Sequence, residues 1–238
     1  MKVDPLMPRN RVLLFGATGA LGTAISETYK SHGWQVFPVV RQSTGLVDEV
    51  LLPLEDSKEF ENAIVANSFD SVVFAQGINM NGSIMTTEEE DFQRLFDVNV
   101  TFIVRQVKLL MEKNAIATEG KIVVVSSLAE VFTRREKFAY TVSKAAVGGL
   151  VRSLAVDLGR SHRILVNAVL PGVVDTPMSR KGLTSDQIAN VIDATPIGTL
   201  VTPTDVGNSV YSLGSELNTG VSGQSLLVDN AFSVTFLP

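Results

Sequence analysis

Seven short runs rich in Val, Leu, Ile and Phe recur along the chain, separated by longer stretches with helical spacing. This alternation constrains the fold more than any other feature. The runs cover residues 11–15, 34–40, 50–52, 71–75, 121–126, 164–169 and 225–228. They are nearly continuous rather than alternating, as in strands covered on both faces. Helical patterns fall between them at about 20–31, 57–66, 88–113, 138–160, 184–193 and 203–216. Repeated β-α alternation predicts an α/β fold, a doubly wound, mostly parallel sheet with helices on both faces. At 238 residues the chain fills one sizeable core, and no repeat or linker divides it, so residues 1–238 read as a single domain. Two places strain the pattern. Eight residues lie between Arg41 and Val50, fewer than the ~10–12 that a crossover helix with its loops requires, so this connection should be irregular. Pro38 lies inside the second run without a ladder donor, so that strand ends early or pairs on one side only there.

Composition excludes several classes. A chain 45% hydrophobic and 19% charged, with mean hydropathy +0.23, forms a compact globule rather than a disordered chain. A net charge of −5 gives no basic face for nucleic acid. Without cysteine there are no disulfides, thiolate metal sites or cysteine nucleophiles. The two histidines, His32 and His162, read as surface residues near helix ends, so no metal is expected. The N-terminus lacks a signal-peptide core, and no apolar run is long enough to span a membrane. A soluble, cytoplasmic protein is expected.

Between the first strand and first helix lies Phe-Gly-Ala-Thr-Gly-Ala-Leu-Gly, with glycines at 16, 19 and 22. Glycine permits a sharp turn and close approach of backbone amides to a pyrophosphate, and a helix N-terminus adds partial positive charge. Gly16, Thr18, Gly19, Leu21 and Gly22 are therefore candidate cofactor residues. Where an acid after the second strand would favour NAD, this chain has Arg41, followed by Ser43 and Thr44. A guanidinium pairs bidentately with a 2′-phosphate, which makes NADP(H) the expected cofactor.

Tyr140 and Lys144 stand four residues apart at the start of a helical stretch, on one face. A phenol with a pKa of about 10 exchanges protons poorly at neutral pH, and a nearby ammonium is expected to lower that pKa. The pair reads as a proton-transfer device.

Taken together, these residues resemble the short-chain dehydrogenase/reductase family over nearly the whole chain. Asn99 in Asp-Val-Asn-Val-Thr, Ser127 after Val-Val-Ser, and Tyr140 with Lys144 match its catalytic set. The family's serine lies thirteen residues before the tyrosine, which selects Ser127 over Ser126; a strand would point these two to opposite faces. Asn-Ala-Val-Leu-Pro-Gly-Val-Val-Asp-Thr matches the segment beside the nicotinamide, which adds Pro171, Gly172, Val174 and Thr176. Ala75 and Gly77 stand where the family has Asn-Asn-Ala-Gly, here Phe-Ala-Gln-Gly, without its bracing side chains. Other departures are Phe15, Ala20, Pro53 in place of an adenine-side aspartate, and Asn230-Ala231 near the end.

The resemblance implies a Rossmann-like, seven-stranded parallel sheet in the order 3-2-1-4-5-6-7. It implies NADP(H)-dependent interconversion of a ketone and a secondary alcohol, with Tyr140 as acid/base and Asn99 holding a relay water. The alternatives are an NAD-dependent alcohol dehydrogenase of the same family, or a catalytically silent dinucleotide-binding sensor or scaffold. A short substrate lid is expected at about 177–195, with Met178, Glu130 and Phe132 beside a small or mid-sized substrate. Thr-Pro-Ile-Gly and Thr-Pro-Thr-Asp-Val are similar to 3-oxoacyl-acyl-carrier-protein reductases, although Thr199 stands where those often carry arginine. Arg134, Arg135 and Lys137 either meet an acidic substrate or carrier protein or form a solvated charge run. A homotetramer or dimer is implied, joined through two long helices and the apolar C-terminal end.

Overall fold

The computed structural model describes residues 10–52 and 58–235. Pro53, Ser57, the N-terminal segment and the last three residues of the apolar tail lie outside the described residues. The strands are β1 (Arg11–Phe15), β2 (Gln35–Val40), β3 (Val50–Leu51), β4 (Phe69–Phe74), β5 (Ile116–Val125), β6 (Leu165–Pro171) and β7 (Ser225–Val228). All pair in parallel, in the order β3-β2-β1-β4-β5-β6-β7. The doubly wound order expected from the sequence is therefore present.

The helices are α1 (Ala20–Ser31), α2 (Lys58–Val65), α3 (Glu89–Phe96), α4 (Phe102–Glu112), α5 (Phe138–His162), α6 (Pro177–Gly182), α7 (Ser185–Ala194) and α8 (Pro203–Gly214). Period-two alternation along β1 divides the core. Leu13 and Phe15 join Phe60, Ile64, Ile103, Val107, Leu110, Val147 and Val151 of α2, α4 and α5 on one face. Val12 and Leu14 join Ile25, Tyr29, Val206, Val210 and Leu213 of α1 and α8 on the other. Each large apolar side chain so enclosed contributes about 1.5–3 kcal/mol. Helices α1 and α8 approach closely at Gly207, where a Cβ would lie 2.6 Å from Thr28 Oγ1. Under the end of α8, the Tyr29 hydroxyl is hydrogen-bonded to Ser71 at 3.0 Å.

No helix forms between Arg41 and Glu49, as the short spacing requires. Pro38 pairs with Leu14, while β3 pairing begins at Val39, so among the described residues the proline has a strand neighbour on one side only. Three features depart from the sequence reading. The helix expected over 88–113 is three pieces, α3 and α4 being joined by a π-helical turn, Asp97–Thr101. Strand β5 starts five residues earlier than expected, because Ile116 pairs with Phe69 before a register shift restores pairing at Lys121 with Ser71. Residues 177–182 form a helix where none was expected.

β1 pairs with β2 on one side and β4 on the other, so the chain reverses its direction of winding there. A crevice opens beyond the carboxyl ends of strands at such a reversal, and ligands of doubly wound sheets bind in it.

Candidate active site

The loop after β1 lies at that reversal. Gly16 has φ +76°, and a Cβ on it would lie 2.5 Å from Gln76 N, so only glycine fits. A Cβ on Gly22 would lie 2.1 Å from the Gly16 carbonyl oxygen. The loop closes through Gly19 N–H to Gly16 O at 3.1 Å. Helix α1 starts at Gly19 with no side-chain cap and no acid in its first turn. Its positive end is therefore not neutralised locally, which suits an anion. Thr18 and Gly19 are exposed at the rim, while Leu21 is half-buried. Beneath Gly16, both amide atoms of Gln76 are buried without a hydrogen-bond partner, a rare condition unless something else completes the site. A cradle that a Cβ would fill, beside an open helix start, fits the pyrophosphate of a dinucleotide.

Arg41 is exposed at the carboxyl end of β2. Ser43 is differently engaged from the expectation. Its hydroxyl donates to Glu49 Oε1, while Thr44 N and Oγ1 donate to Oε2 at 2.9 and 3.0 Å. Hydrogen bonds led by that of Ser43 lower the Glu49 pKa to about 2.

Asn99, Ser127 and the Tyr140–Lys144 pair come from three successive segments of chain, and Asn99 and Lys144 meet at Gly77. A Cβ on Gly77 would lie 3.3 Å from Asn99 Oδ1 and 3.5 Å from Lys144 Nζ. Asn99, 1% exposed in the π-turn, accepts from Ile78 N at 2.9 Å and donates to Ile78 O and Ser143 Oγ at 3.1 and 3.0 Å. One amide N–H thus braces the segment after β4 and the other ties to Ser143 of α5, so neither is left to donate to a relay water. Lys144, 5% exposed, places Nζ 3.4 Å from the Val125 carbonyl and 5.8 Å from the centre of the Tyr140 ring. Burial lowers its pKa to about 8, with Glu130 pulling the other way.

Ser126 and Ser127 diverge, as strand geometry requires. The Ser126 hydroxyl is buried with no partner, whereas Ser127 caps a short 3-10 turn (Leu128–Glu130) and hydrogen-bonds toward Tyr140. The Tyr140 pKa is the main correction to the sequence reading. Burial raises it, and Ser127 only partly opposes this. Lys144 was expected to lower it, but its ammonium approaches the ring and the Val125 carbonyl, so desolvation of the phenol wins.

Pro171 ends β6, and Gly172 N–H donates to Val228 O at 3.0 Å; a Cβ on Gly172 would lie 2.9 Å from Asp229 Cβ. Val174 bridges to Val201, and Thr176 caps α6 by accepting from Ser179 N at 3.2 Å. Helices α6 and α7 span the expected lid and carry no fully buried residue. Met178 and Phe132 are exposed. Glu130 turns inward instead: Oε1 accepts from Ser225 at 2.5 Å, and the carboxylate covers Gly148, two turns along α5 from Tyr140. Ala75 and Gly77 line the end of β4 facing the glycine loop.

Sequence reading missed the role of Lys137. Grouped with two arginines as a charge run, it is buried, and its Nζ lies 5.5 Å from the centre of the Tyr140 ring. No local pattern signals this, because a contact with Gly82, far away in sequence, sets its position.

Among the described residues no cluster of acidic and histidine side chains has metal-site geometry, and no helix is long and apolar enough to cross a membrane. A family model described as Enoyl-(Acyl carrier protein) reductase matches residues 16–233. D-erythrulose reductase of Gallus gallus is 30% identical over 248 residues, covering 99% of this chain and all of that protein. A short chain dehydrogenase family protein from Francisella tularensis superposes with a TM-score of 0.83 at 23% identity, over 96% of this chain and 100% of the other. A 4-hydroxyisoleucine dehydrogenase complexed with NADH gives 0.81 at 21% identity, again over 96% and 100%.

Proposed function

The chain belongs to the short-chain dehydrogenase/reductase family, and from that premise we propose that it reduces a ketone to a secondary alcohol with NADPH, and catalyses the reverse. One observation carries this: Ser127 and Lys144 flank Tyr140, and Lys144 meets Gly77 at the end of the strand that seats a glycine loop shaped for a dinucleotide. The loop residues 16–22 would hold the pyrophosphate, and Pro171, Gly172, Val174 and Thr176 the nicotinamide end. The bound cofactor supplies or accepts the hydride.

The residues do the rest. A phenol whose pKa burial raises keeps its proton at neutral pH, so Tyr140 enters reduction already loaded as the donor. Ser127 donates a hydrogen bond to the substrate oxygen where negative charge grows. Lys144, with a pKa of about 8, is an ammonium at neutral pH and favours the phenolate that proton donation leaves behind. Asn99 holds Ile78 in place, and so fixes the backbone beside Lys144. Arg41 supports NADP(H) over NAD(H) through a 2′-phosphate contact. Exposed Val104 on α4, Val156 on α5 and Leu226 and Leu227 on β7 support assembly through the long helices and last strand.

The test is Tyr140→Phe, followed by NADPH absorbance with a panel of β-keto esters, cyclic ketones and quinones. Loss of turnover with retained NADPH binding is expected. Wild-type activity in the variant overturns the mechanism, and an Arg41→Ala variant that keeps the NADPH preference overturns the cofactor assignment.

A further inference from the structure

Lys137 is set apart from the arginines before it in both burial and surroundings. Arg134 and Arg135 are exposed, whereas Lys137 is 7% exposed and donates from Nζ to Asn79 Oδ1 at 2.7 Å. The backbone holds the two segments together. Gly82 N–H donates to Glu136 O, and Phe138 N–H donates back to Gly82 O, each at 3.1 Å. Lys137 therefore cannot swing freely away from Asn79 or from the Tyr140 ring 5.5 Å away.

The ammonium has an unusual charge balance. Among the described residues no carboxylate forms an ion pair with it, and the charged group acting on it is Arg134, which repels. Burial accordingly lowers its pKa to about 8. A cation withdrawn from water without a counter-charge is unfavourable, and an arriving anion relieves that penalty. Asn79 uses one of the three ammonium donors, so two remain. Asn79 is itself exposed, with its amide N–H groups available to the same guest.

Resting on the reading of Tyr140 as proton donor, we propose that Lys137 and Asn79 form a carboxylate-binding subsite, which makes the preferred substrates keto acids with the carboxylate one or two carbons from the carbonyl. The phenol oxygen sits at the rim of the ring over which the ammonium lies. A short keto acid therefore spans from one to the other, its carbonyl oxygen at Tyr140 and Ser127 and its carboxylate at Lys137 and Asn79. Lys144 is not the carboxylate partner, because its ammonium is turned toward the Val125 carbonyl and the Gly77 backbone.

The test is calorimetric titration of the protein, saturated with reduced cofactor so that the alcohol binds without turnover, with 3-hydroxybutanoate and with its methyl ester. The acid is expected to bind at least about tenfold more tightly than the ester, the scale of one charge-assisted contact. In Lys137→Met the acid-to-ester ratio falls to near one, Lys137→Arg restores part of it, and Asn79→Ala reduces it. Equal binding by the wild type, or a preference that survives in Lys137→Met, overturns the subsite. The oxidoreductase reading fails separately: NADPH absorbance then stays constant with both 3-oxobutanoate and its methyl ester, while carboxylate-dependent binding persists.

Discussion

Lys144→Met replaces an ammonium, in a site 5% exposed, with an apolar side chain of similar length. Burial takes the Lys144 pKa from 10.5 to about 8. At about 1.4 kcal/mol for each tenfold change in acidity, keeping the charge at neutral pH costs the fold ~3 kcal/mol. That figure is already net of the Glu130 carboxylate, whose attraction opposes the desolvation. The variant should therefore be ~3 kcal/mol more stable at neutral pH, with a Tm higher by roughly 6–12 °C for a chain of this size. The pH dependence makes the test specific. Between about pH 8 and 10.5 the unfolded wild type holds a proton on Lys144 that the folded protein has released. Wild-type stability therefore rises through that window, and the advantage of methionine shrinks to nothing at its upper end. Lys137 has the same sense in both proteins and cancels in the difference. Urea unfolding followed by circular dichroism, at matched protein concentration and several pH values, measures it. A variant that is less stable at neutral pH, or whose advantage persists at high pH, refutes the reasoning.

Other outcomes follow from the same geometry. Glu130→Gln keeps an oxygen to accept from Ser225 but removes the charge that raises the Lys144 pKa; the limb of the reductase pH profile set by Lys144 should move to lower pH, and an unmoved limb disconnects the two residues. Gly22→Ala pushes a Cβ into the Gly16 carbonyl at 2.1 Å, backbone against backbone, so NADPH affinity by calorimetry should fall at least ~10-fold with the circular dichroism spectrum preserved. Gly214→Ala sets a Cβ 2.1 Å from the Tyr29 hydroxyl and should lower stability by about 1–3 kcal/mol, measured in urea. In a Tyr29→Phe background, where that oxygen is gone, the added loss should be smaller; an equal loss would clear Tyr29 as the obstacle.

The sheet was legible because strands enclosed on both faces write their burial directly into sequence, and the helices packed on it carry complementary apolar stripes. The glycine loop was legible too, since Gly16 and Gly22 are dictated by close backbone approach. Features set by partners distant in sequence were not. Asp-Val-Asn-Val-Thr reads as ordinary helix, whereas the wider turn accompanies bonds from Asn99 to Ile78 and Ser143, both distant in sequence. The early half of β5, with polar Thr118 and Glu119, lacks an apolar signature and is organised by Phe69 across the register shift. Glu130 and Lys137 both sit in a polar stretch that suggests solvent. One turns inward because glycine at 148 leaves it room, and the other because Gly82 zips against its neighbours. The direction of the Tyr140 pKa was missed for a related reason: helical spacing locates Lys144 but does not reveal how dry the phenol is.

The wide turn at Asp97–Thr101 makes the count of residues matter as much as their identity. Each residue of a regular helix rotates the next by roughly 100°. Deleting any one of the four residues other than Asn99 would let a regular helix run through and swing the Asn99 amide off Ile78, while the apolar stripe of α4 kept its seat on the sheet. The clamp behind the proton donor is thus a matter of helical phase as well as of the Asn99 amide, and a three-base deletion in the coding sequence dismantles it.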